Sequence, residues 1–415
     1  MQTNLADWIK DTPEGIEADS ILRKCVHCGF CLATCPTYNL LGDELDSPRG
    51  RIYLMKQMLE GEPVTEKTQL HLDRCLTCRS CESTCPSGVQ YGRLVDIGRE
   101  LVEKKVGRSF AEGLKRKVLK NALPQTALFA VGLTVGRAMK AFLPASLAKK
   151  IPARRDAGVR PQLRHSRNML VLEGCVQPAM APNINSAAAR VLDRLGISLI
   201  AAPSAGCCGA IPHHLNDPHE SHAYIKRNID AWWPYIEAGA EAIVVTASGC
   251  GTMVADYGYL LRNDAAYAEK AQRVTELFRD VSQVIAAESA ALSKLLVAAN
   301  PVRKKIAFHS PCSLQHGLKI RGVVEGLLRD AGCDLAPVPD GHLCCGSAGT
   351  YSLLQRELSQ QLLVNKVKAL ESGAPQLVAT ANIGCLAHIE GGLNVSSGTP
   401  IRHWIELIDE RLAAT

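Results

Sequence analysis

The chain has 415 residues, of which 47% are hydrophobic and 21% are charged, and 17 of them are cysteines. A chain of this length is expected to form about two to four compact domains. Its length and composition exclude a disordered tail, a coiled coil and a small disulfide-stabilised protein. The formal net charge of +6 is small for the length, so we expect no nucleic-acid partner.

The N-terminal residues 1–20 are polar and acidic and lack the basic and apolar stretches of a secretory signal. We therefore expect the thiols to lie in a reducing compartment, where clustered cysteines bind metal or do redox chemistry more often than they form disulfides. The most apolar helix-like stretch, residues 126–136, is about half as long as a membrane span. The sequence thus predicts no membrane-spanning helix.

Sixteen of the 17 cysteines belong to two internal repeats. The spacing C-x2-C-x2-C-x3-C-P occurs twice, 50 residues apart, on Cys25, Cys28, Cys31 and Cys35 and on Cys75, Cys78, Cys81 and Cys85. A second repeat, with a period near 137, relates Cys175, Cys207, Cys208 and Cys250 to Cys312, Cys344, Cys345 and Cys385. Cys333 belongs to neither repeat, and we expect it to be a small buried apolar residue.

The N-terminal spacing is that of bacterial two-cluster ferredoxins, in which the fourth cysteine of each run binds the other cluster. Three closely spaced thiolates wrap around three irons of a cubane, and the fourth iron is reached from a distant part of the chain. The spacing predicts two [4Fe–4S] clusters, one on Cys25, Cys28, Cys31 and Cys85 and the other on Cys75, Cys78, Cys81 and Cys35. Tetrahedral zinc is the alternative, but it would leave half of these cysteines without a role.

Basic residues surround the two runs, namely Arg23, Lys24, Arg49, Arg51, Arg74, Arg79 and Arg93. Cations near a cluster favour its more negative reduced form and raise its reduction potential. A solvated basic face is the alternative reading of the same residues. His27 and His71 also lie near the runs, but eight cysteines are available, so we expect both histidines to be surface residues or neighbours of the ligands.

A basic connector follows. Residues 114–143 combine helical apolar spacing with Lys and Arg, which predicts helices packed on a core or on a partner subunit. A helix lying on an anionic membrane surface is the alternative. Residues 149–167 are rich in Pro and basic residues without apolar periodicity, which indicates an interdomain linker.

The C-terminal repeat alternates strand-like and helical segments, a pattern typical of parallel βαβ units. Strands are predicted at 169–172, 197–201, 242–246, 305–309, 334–338 and 376–380. Each repeated cysteine then follows the carboxyl end of a strand, where open α/β sheets bind ligands. Four thiols at one sheet edge indicate a metal cluster or a redox thiol site. Small buried cysteines in an α/β scaffold are the alternative.

The order of these motifs resembles a known family. The segments CVHCGFCLATCP, DRCLTCRSCESTCP, LEGCVQP, AGCCGA, TASGCG, HLCCGSAGTY and TANIGC resemble the iron–sulfur subunits of bacterial glycolate oxidase, also called glycolate dehydrogenase, along essentially the whole chain. A wider group with the cysteine-rich CCG domain includes subunits of anaerobic glycerol-3-phosphate dehydrogenase, lactate-utilisation proteins and heterodisulfide reductases.

The resemblance implies flavin-bearing partner subunits that oxidise glycolate to glyoxylate. It also implies electron delivery to a quinone or another respiratory acceptor, from a cytoplasmic position peripheral on the inner face of the cytoplasmic membrane. In heterodisulfide reductases the CCG pattern ends in CxxC, whereas this chain has Met253 and His388 at the final positions. His388 is the candidate replacement ligand. We therefore expect a third cluster in the second half, on Cys312, Cys344, Cys345, Cys385 and His388, more than on the corresponding thiols of the first half.

The sequence thus predicts a multidomain protein with a helical two-cluster ferredoxin-like domain and two tandem α/β CCG domains. The predicted segments are the cluster domain (1–110), the connector and linker (111–167), the first CCG domain (168–300) and the second (301–415). No G-x-G-x-x-G opens a helix and no P-loop is present, so we expect no flavin on this chain and no glycolate oxidation by the chain alone.

The predicted role is electron transfer from a partner's flavin through the clusters to an acceptor. Three alternatives remain open at this point: a CCG-type reductase that cleaves a disulfide, a subunit of a related lactate or glycerol-3-phosphate dehydrogenase, and a structural scaffold for the flavoprotein.

Overall fold

The computed structural model describes residues 1–142, 151–297 and 304–413. By residue contacts the chain forms two compact units, the first made of Met1–Lys117 with His342–Lys366 and the second of Val118–Gly341 with Val367–Thr415. Cys344 and Cys345 therefore belong to the unit that contains both N-terminal cysteine runs. The predicted division at residues 110, 167 and 300 follows the sequence motifs and stays a prediction.

The N-terminal part of the first unit is helical, as predicted. Its helices are α1 (Pro13–Lys24), α2 (Phe30–Ala33), α3 (Pro36–Leu41), α4 (Pro48–Leu59), α5 (Glu66–Asp73), α6 (Ser80–Thr84) and α7 (Tyr91–Val106), with a 3-10 turn at Glu44–Asp46. Helices α1, α3 and α4 begin with Pro. Proline fits the first helical turn because N–H groups there have no intrahelical partner, so the missing proline N–H costs no hydrogen bond. Leu22, Met55, Leu72 and Leu94 are fully buried and join α1, α4, α5 and α7 in one core.

Two helices follow, α8 (Phe110–Ala122) and α9 (Thr126–Ala138), where the sequence predicts a helical connector. Neither helix contains a buried residue, and Phe110 and Val131 are 87% and 61% exposed. Leu119, Phe129 and Leu133 are half-buried, so these helices present only part of their apolar surface outward, and packing on a core or on a partner subunit stays a prediction. The end of the predicted stretch, Leu143, lies outside the described residues.

Within the described residues, no single helix has the length and hydropathy of a membrane span. Helices α8 and α9 pass that test only as a pair, with a bend of 104° between them. The predicted linker continues without helix or strand from residue 151 to residue 166, and Arg160 and Arg164 are held there by Glu173 and Asp193, each at 2.6 Å. Lys149 and Lys150 lie outside the described residues.

The second unit contains two four-stranded parallel sheets of equal topology. The strands are β1 (Arg167–Val171), β2 (Ile197–Ala201), β3 (Ile243–Val245), β4 (Phe278–Asp280), β5 (Lys305–His309), β6 (Asp334–Ala336), β7 (Leu377–Thr380) and β8 (Ile401–His403). Their orders are β2-β1-β3-β4 and β6-β5-β7-β8. The six predicted strands are confirmed. Strands β4 and β8 were missed because each has three residues with an arginine in the middle, too short to show alternation.

Helices connect the strands of each half. Those of the first half are α10 (Gln177–Met180), α11 (Asn183–Arg194), α12 (Ala210–His214), α13 (Pro218–Glu237), α14 (Ser248–Ala255), α15 (Tyr257–Leu260), α16 (Ala268–Leu277), α17 (Val281–Ala287) and α18 (Ser289–Val297). Those of the second half are α19 (Val323–Asp330), α20 (Tyr351–Leu354), α21 (Arg356–Glu371), α22 (Ile383–Ser396) and α23 (Trp404–Ala413), with a π-helical turn at Ser313–Gly317. Helix α20 lies in the first unit.

The two sheets meet through the loops that follow β3 and β7. The Ser248 N–H donates to the Ala381 carbonyl at 3.2 Å, and the hydroxyls of Ser248 and Ser313 are 2.8 Å apart. His403, at the end of β8, lies 2.9 Å from the Thr246 carbonyl through Nε2. Burial lowers the pKa of His403 to about 4, so this contact is made by a neutral imidazole at pH 7.

Candidate metal centres

The two N-terminal cysteine runs form the same loop. In each run the second and fourth residues after the first cysteine adopt left-handed backbone angles: φ is 54° at His27 and 83° at Gly29, and 51° at Thr77 and 57° at Arg79. These angles turn the chain sharply between the first and third cysteines. Left-handed backbone costs a residue with a side chain about 1–2 kcal/mol, and such strain is concentrated at functional sites.

The first loop borders an open cavity of about 450 Å³ whose lining includes Cys25, Cys28, Cys31 and Cys85. Cys28 is exposed, and the neighbouring Val26 and Phe30 are 66% and 61% exposed. This cavity, here called the first site, therefore opens at the surface with an apolar rim.

The second loop borders a cavity of about 310 Å³ whose lining includes Cys35, Cys75, Cys78 and Cys81. Cys35, Cys75 and Cys81 are buried and Cys78 is half-buried. Cys81 also lines the first cavity, so the two cavities are adjacent. In this second site the last cysteine of the first run lies with the second run.

A buried ionic network supports the second site. The guanidinium of Arg51 donates to the His71 carbonyl at 2.6 Å and to Thr37 Oγ1 at 3.1 Å, and it pairs with Asp46 at 3.2 Å. Burial lowers the pKa of Arg51, but charge interactions with nearby acidic groups, the Asp46 carboxylate among them, outweigh burial and raise it above its ordinary value. Arg51 therefore carries a positive charge in the interior.

Asp46 holds this network together from the centre. Its carboxylate also accepts from Arg74 at 2.8 Å and lies 3.1 Å from His71 Nδ1, while its backbone carbonyl accepts from the Cys35 thiol at 3.7 Å. His71 is thus a buried neighbour of the site, as the sequence suggests, whereas His27 is exposed.

Two further residues contact Cys75, and sequence reasoning singled out neither of them. The buried Tyr91 hydroxyl donates to Cys75 Sγ at 3.6 Å, and burial together with Cys75 raises its pKa well above the ordinary value, so it stays a proton donor. Arg99 donates to the Cys75 carbonyl at 2.5 Å and to the Leu72 carbonyl at 2.9 Å. Both residues lie on α7, 16 and 24 residues after Cys75.

The Cys344-Cys345 loop comes close to the second site within the first unit. The Tyr351 hydroxyl donates to the Arg74 carbonyl at 3.2 Å, across 277 residues. Burial raises the pKa of Tyr351, and the nearby Cys75 and Cys344 raise it as well. Tyr351 therefore lies within electrostatic range of both thiols.

The two CCG loops share one local geometry. Gly209 and Gly346 have φ values of 89° and 90°, and their carbonyls accept from the hydroxyls of Ser221 and Ser359 at 3.0 and 2.8 Å. A Cβ at Gly346 would lie 2.6 Å from the Ser359 carbonyl. Glycine is thus required here by both the backbone angle and the close approach of a helix.

The structure brings the four repeated thiols of the first half together. Hydrogen bonds link the side chains of Cys175 and Cys207, of Cys207 and Cys208, and of Cys208 and Cys250. The bond with Cys207 and burial raise the pKa of Cys175 well above its usual range. Four thiols this close together can bind a metal cluster, act as a redox site or pack as small buried side chains.

In the second half, Cys312 follows β5 and the buried Cys385 lies in α22, where Asn382 donates to its sulfur at 3.5 Å. A ring nitrogen of His309 lies within 4.8 Å of Cys385 Sγ. Sequence reasoning missed His309, although its place at the end of a predicted strand was a usable signal. The first half has Leu172 at the corresponding position. His388 is half-buried on α22, and the third cluster stays a prediction.

Cys333, outside both repeats, is half-buried rather than buried, so the expectation of a fully buried residue is wrong. It follows α19 directly before β6, at a turn near the surface.

The sites and the fold define a class of protein: an iron–sulfur protein with a two-cluster helical domain and two CCG domains. The family described as "4Fe-4S dicluster domain" matches residues 21–89. The family described as "Cysteine-rich domain" matches residues 169–255 and 306–390. Iron–sulfur clusters are therefore the cofactors of this chain.

Curated relatives narrow the class. The chain is 55% identical over 414 residues to the glycolate oxidase iron-sulfur subunit of Escherichia coli (strain K12), with 99% of each chain covered. It is 29% identical over 407 residues to the probable glycolate oxidase iron-sulfur subunit of Bacillus subtilis (strain 168), with 90% of this chain and 89% of the relative covered. Lactate utilization protein A of Bacillus licheniformis is 27% identical over 239 residues, which is 57% of this chain. The chain belongs to the family of glycolate oxidase iron–sulfur subunits.

Proposed function

We propose that this chain carries electrons from flavin-bearing partner subunits, which oxidise glycolate to glyoxylate, through two [4Fe–4S] clusters towards a quinone or another respiratory acceptor. The pair of adjacent cysteine-lined cavities, which share Cys81, carries this proposal. Oxidation of glycolate releases two electrons, and each cluster passes them on one at a time. The family membership supports glycolate over lactate, because the lactate-utilisation relative covers only 57% of the chain.

The ligand sets of the proposal are crossed between the runs. Cys25, Cys28 and Cys31 with Cys85 would hold the first cluster, and Cys75, Cys78 and Cys81 with Cys35 the second. The lining of the two cavities supports this assignment, because each contains three cysteines of one run and the last cysteine of the other.

The exposure of the two sites supports a direction of transfer. The first site presents the exposed Cys28 and an apolar rim at the surface, which suits it to receive electrons from a docked partner. The second site is buried and is approached by Tyr351 from the Cys344 loop. The proposal therefore has electrons enter at the first site and leave from the second towards the second CCG half.

Purification of the tagged chain with its partner subunits tests this function. We expect flavin in the complex and none on the separated chain. Anaerobic glycolate should bleach the cluster absorbance of the complex and leave the separated chain oxidised, because glycolate needs the partner's flavin. Dithionite, a chemical reductant, should bleach both samples.

Three outcomes would contradict the proposal or its substrate. Glyoxylate formation by the complex with clusters that stay oxidised would favour a structural scaffold. Disulfide reduction by the separated chain with a chemical reductant would favour a CCG-type reductase. Faster bleaching of the cluster absorbance by lactate than by glycolate would show that lactate is the preferred substrate.

We also propose that the protein is peripheral on the inner face of the cytoplasmic membrane, through α8 and α9. Phe110, Leu114, Val131 and Val135 are exposed apolar residues of these helices. Lys115 and Lys117 lie on α8. An exposed apolar surface bordered by cations is the composition of helices that bind anionic membrane interfaces.

The membrane proposal predicts release by salt or by alkaline washing, because an interfacial helix without a span is held partly by charges that salt screens. The measurement is the fraction of the chain that sediments with membranes before and after each wash. Replacement of both lysines, Lys115→Glu with Lys117→Glu, should lower the unwashed bound fraction. The charge-matched control is Lys294→Glu with Lys305→Glu, which changes two exposed lysines outside α8 and α9 and should leave the bound fraction unchanged. Retention of the wild-type chain through both washes would contradict a peripheral protein.

A further inference from the structure

The second site has several hydrogen bonds directed at its ligand sulfurs. Cys75 Sγ accepts from the Tyr91 hydroxyl at 3.6 Å and from the Thr77 N–H at 3.4 Å. Cys35 Sγ and Thr37 Oγ1 are 3.3 Å apart. Hydrogen bonds to cluster sulfurs disperse the negative charge of the cluster and raise its reduction potential.

The second site also has a buried cation whose charge is not balanced by a carboxylate partner in the described part of the chain. The Arg99 guanidinium donates to the carbonyls of Leu72 and Cys75 and to Thr77 Oγ1, all of them uncharged acceptors. Arg51, by contrast, pairs with Asp46. Arg99 therefore places a positive charge, without a carboxylate partner among the described residues, next to the backbone carbonyl of the proposed ligand Cys75.

We propose that Tyr91 and Arg99 raise the reduction potential of the second cluster, so that this cluster holds the electron when the protein has taken up only one. The inference rests on the proposed electron-transfer function. Neither residue is a ligand. Tyr91 acts through its hydrogen bond to Cys75 Sγ, and Arg99 acts through its positive charge beside the Cys75 carbonyl. In the transfer, one electron leaves the first cluster, which is oxidised, and enters the second, which is reduced; no bond changes and no proton moves.

Burial decides the strength of this effect. A charge in a partly buried environment interacts about fourfold more strongly than the same charge in water, and Arg99 is buried. At the first site, Arg49 is bound to the half-exposed Glu44 at 2.8 Å, and the terminal amino group of Met1, 2.9 Å from the Cys25 carbonyl, is partly exposed. These charges are more strongly screened. Water at the exposed first site also favours a reduced cluster, but it offers no fixed donor comparable to Tyr91.

An anaerobic redox titration of the full chain, followed by electron paramagnetic resonance, tests the inference. Iron analysis first establishes that both clusters are present, so a failure of the proposed function is seen before any potential is measured. Cys28→Ser and Cys78→Ser then show which midpoint belongs to which site. We expect the site with Cys78 to have the higher midpoint.

Tyr91→Phe should lower the ratio of reduced to oxidised second cluster at a fixed potential by about fivefold, as expected for loss of one hydrogen bond. This ratio corresponds to a downward shift of about 40 mV, at about 59 mV per tenfold for one electron. The first midpoint should stay unchanged. Tyr53→Phe, which alters a half-exposed tyrosine of α4, is the matched control and should move neither midpoint.

Arg99→Gln should shift the second midpoint downward and Arg99→Lys should largely restore it, because lysine keeps the charge. If the Arg99 variants fail to retain clusters, Tyr91→Phe still decides, since it removes only a hydroxyl. A higher midpoint at the first site, or equal shifts of both midpoints in Tyr91→Phe, would overturn the inference.

Discussion

Cys85→Ser is expected to remove the first cluster and spare the second, although Cys85 belongs to the second cysteine run. The reason is the position of Cys85 in the cavity lined by Cys25, Cys28 and Cys31. Two cubanes give about 8 irons per chain, so the variant should retain about 4. Cys35→Ser, the matched change in the other run, should instead cost the second cluster because Cys35 lines the second cavity.

Iron and sulfide analysis measures the loss, and site-resolved spectroscopy identifies the cluster that remains. Cys333→Ser is the control, because Cys333 lies outside both repeats and its substitution should leave the iron content unchanged. Loss of the second cluster in Cys85→Ser, with the first one intact, would show that each run binds its own cluster. The crossed assignment would then be wrong, whereas iron–sulfur binding would stand.

Asp46→Ala is expected to destabilise the first unit by about 3–5 kcal/mol, the cost of leaving a buried charge without its partner. Asp46 is the carboxylate for Arg51 and Arg74, and the side chains of Asp46 and Arg51 are 0% and 1% exposed. The change also leaves Arg51 beside the second site without its counter-charge. Urea unfolding, followed by loss of cluster absorbance, measures the effect as a shift of the first transition, since a chain of two units need not unfold in one step.

Two variants separate this effect from a general loss of stability. Glu44→Ala breaks the surface pair with Arg49, whose partners are 35% and 43% exposed, and should cost less than about 1 kcal/mol. Asp46→Leu combined with Arg51→Met removes both buried charges and should recover most of the stability lost in Asp46→Ala. An Asp46→Ala variant as stable as Glu44→Ala would refute the role assigned to the network.

The regular spacing of the cysteines determined much of this protein from the sequence alone. Iron–sulfur chemistry needs thiolates at short, fixed intervals, so the two N-terminal runs indicate the cofactor without reference to the fold. The βαβ repeat was equally readable, because buried parallel strands are short apolar runs, such as β1 and β5, separated by helical segments. The three-residue strands β4 and β8 were too short to carry that signal.

The tertiary structure decided the surroundings of the sites. Arg51 was one of seven basic residues near the runs, and only packing shows that it is buried against Asp46. Tyr91 and Arg99 approach Cys75 from α7, and His309 approaches Cys385 from β5. The sequence singled out none of these three residues.

The difference has a physical cause. The thiols of a cysteine run are placed by local backbone angles, such as the left-handed angles at Gly29 and Arg79. The residues that determine which cofactor the run binds therefore lie within about ten positions of one another. The environment of the clusters depends on side chains brought together from distant parts of the chain, as Tyr351 is brought to Arg74 across 277 residues. The sequence therefore determined which cofactor this protein holds, and the tertiary structure decided which charges and hydrogen bonds surround it.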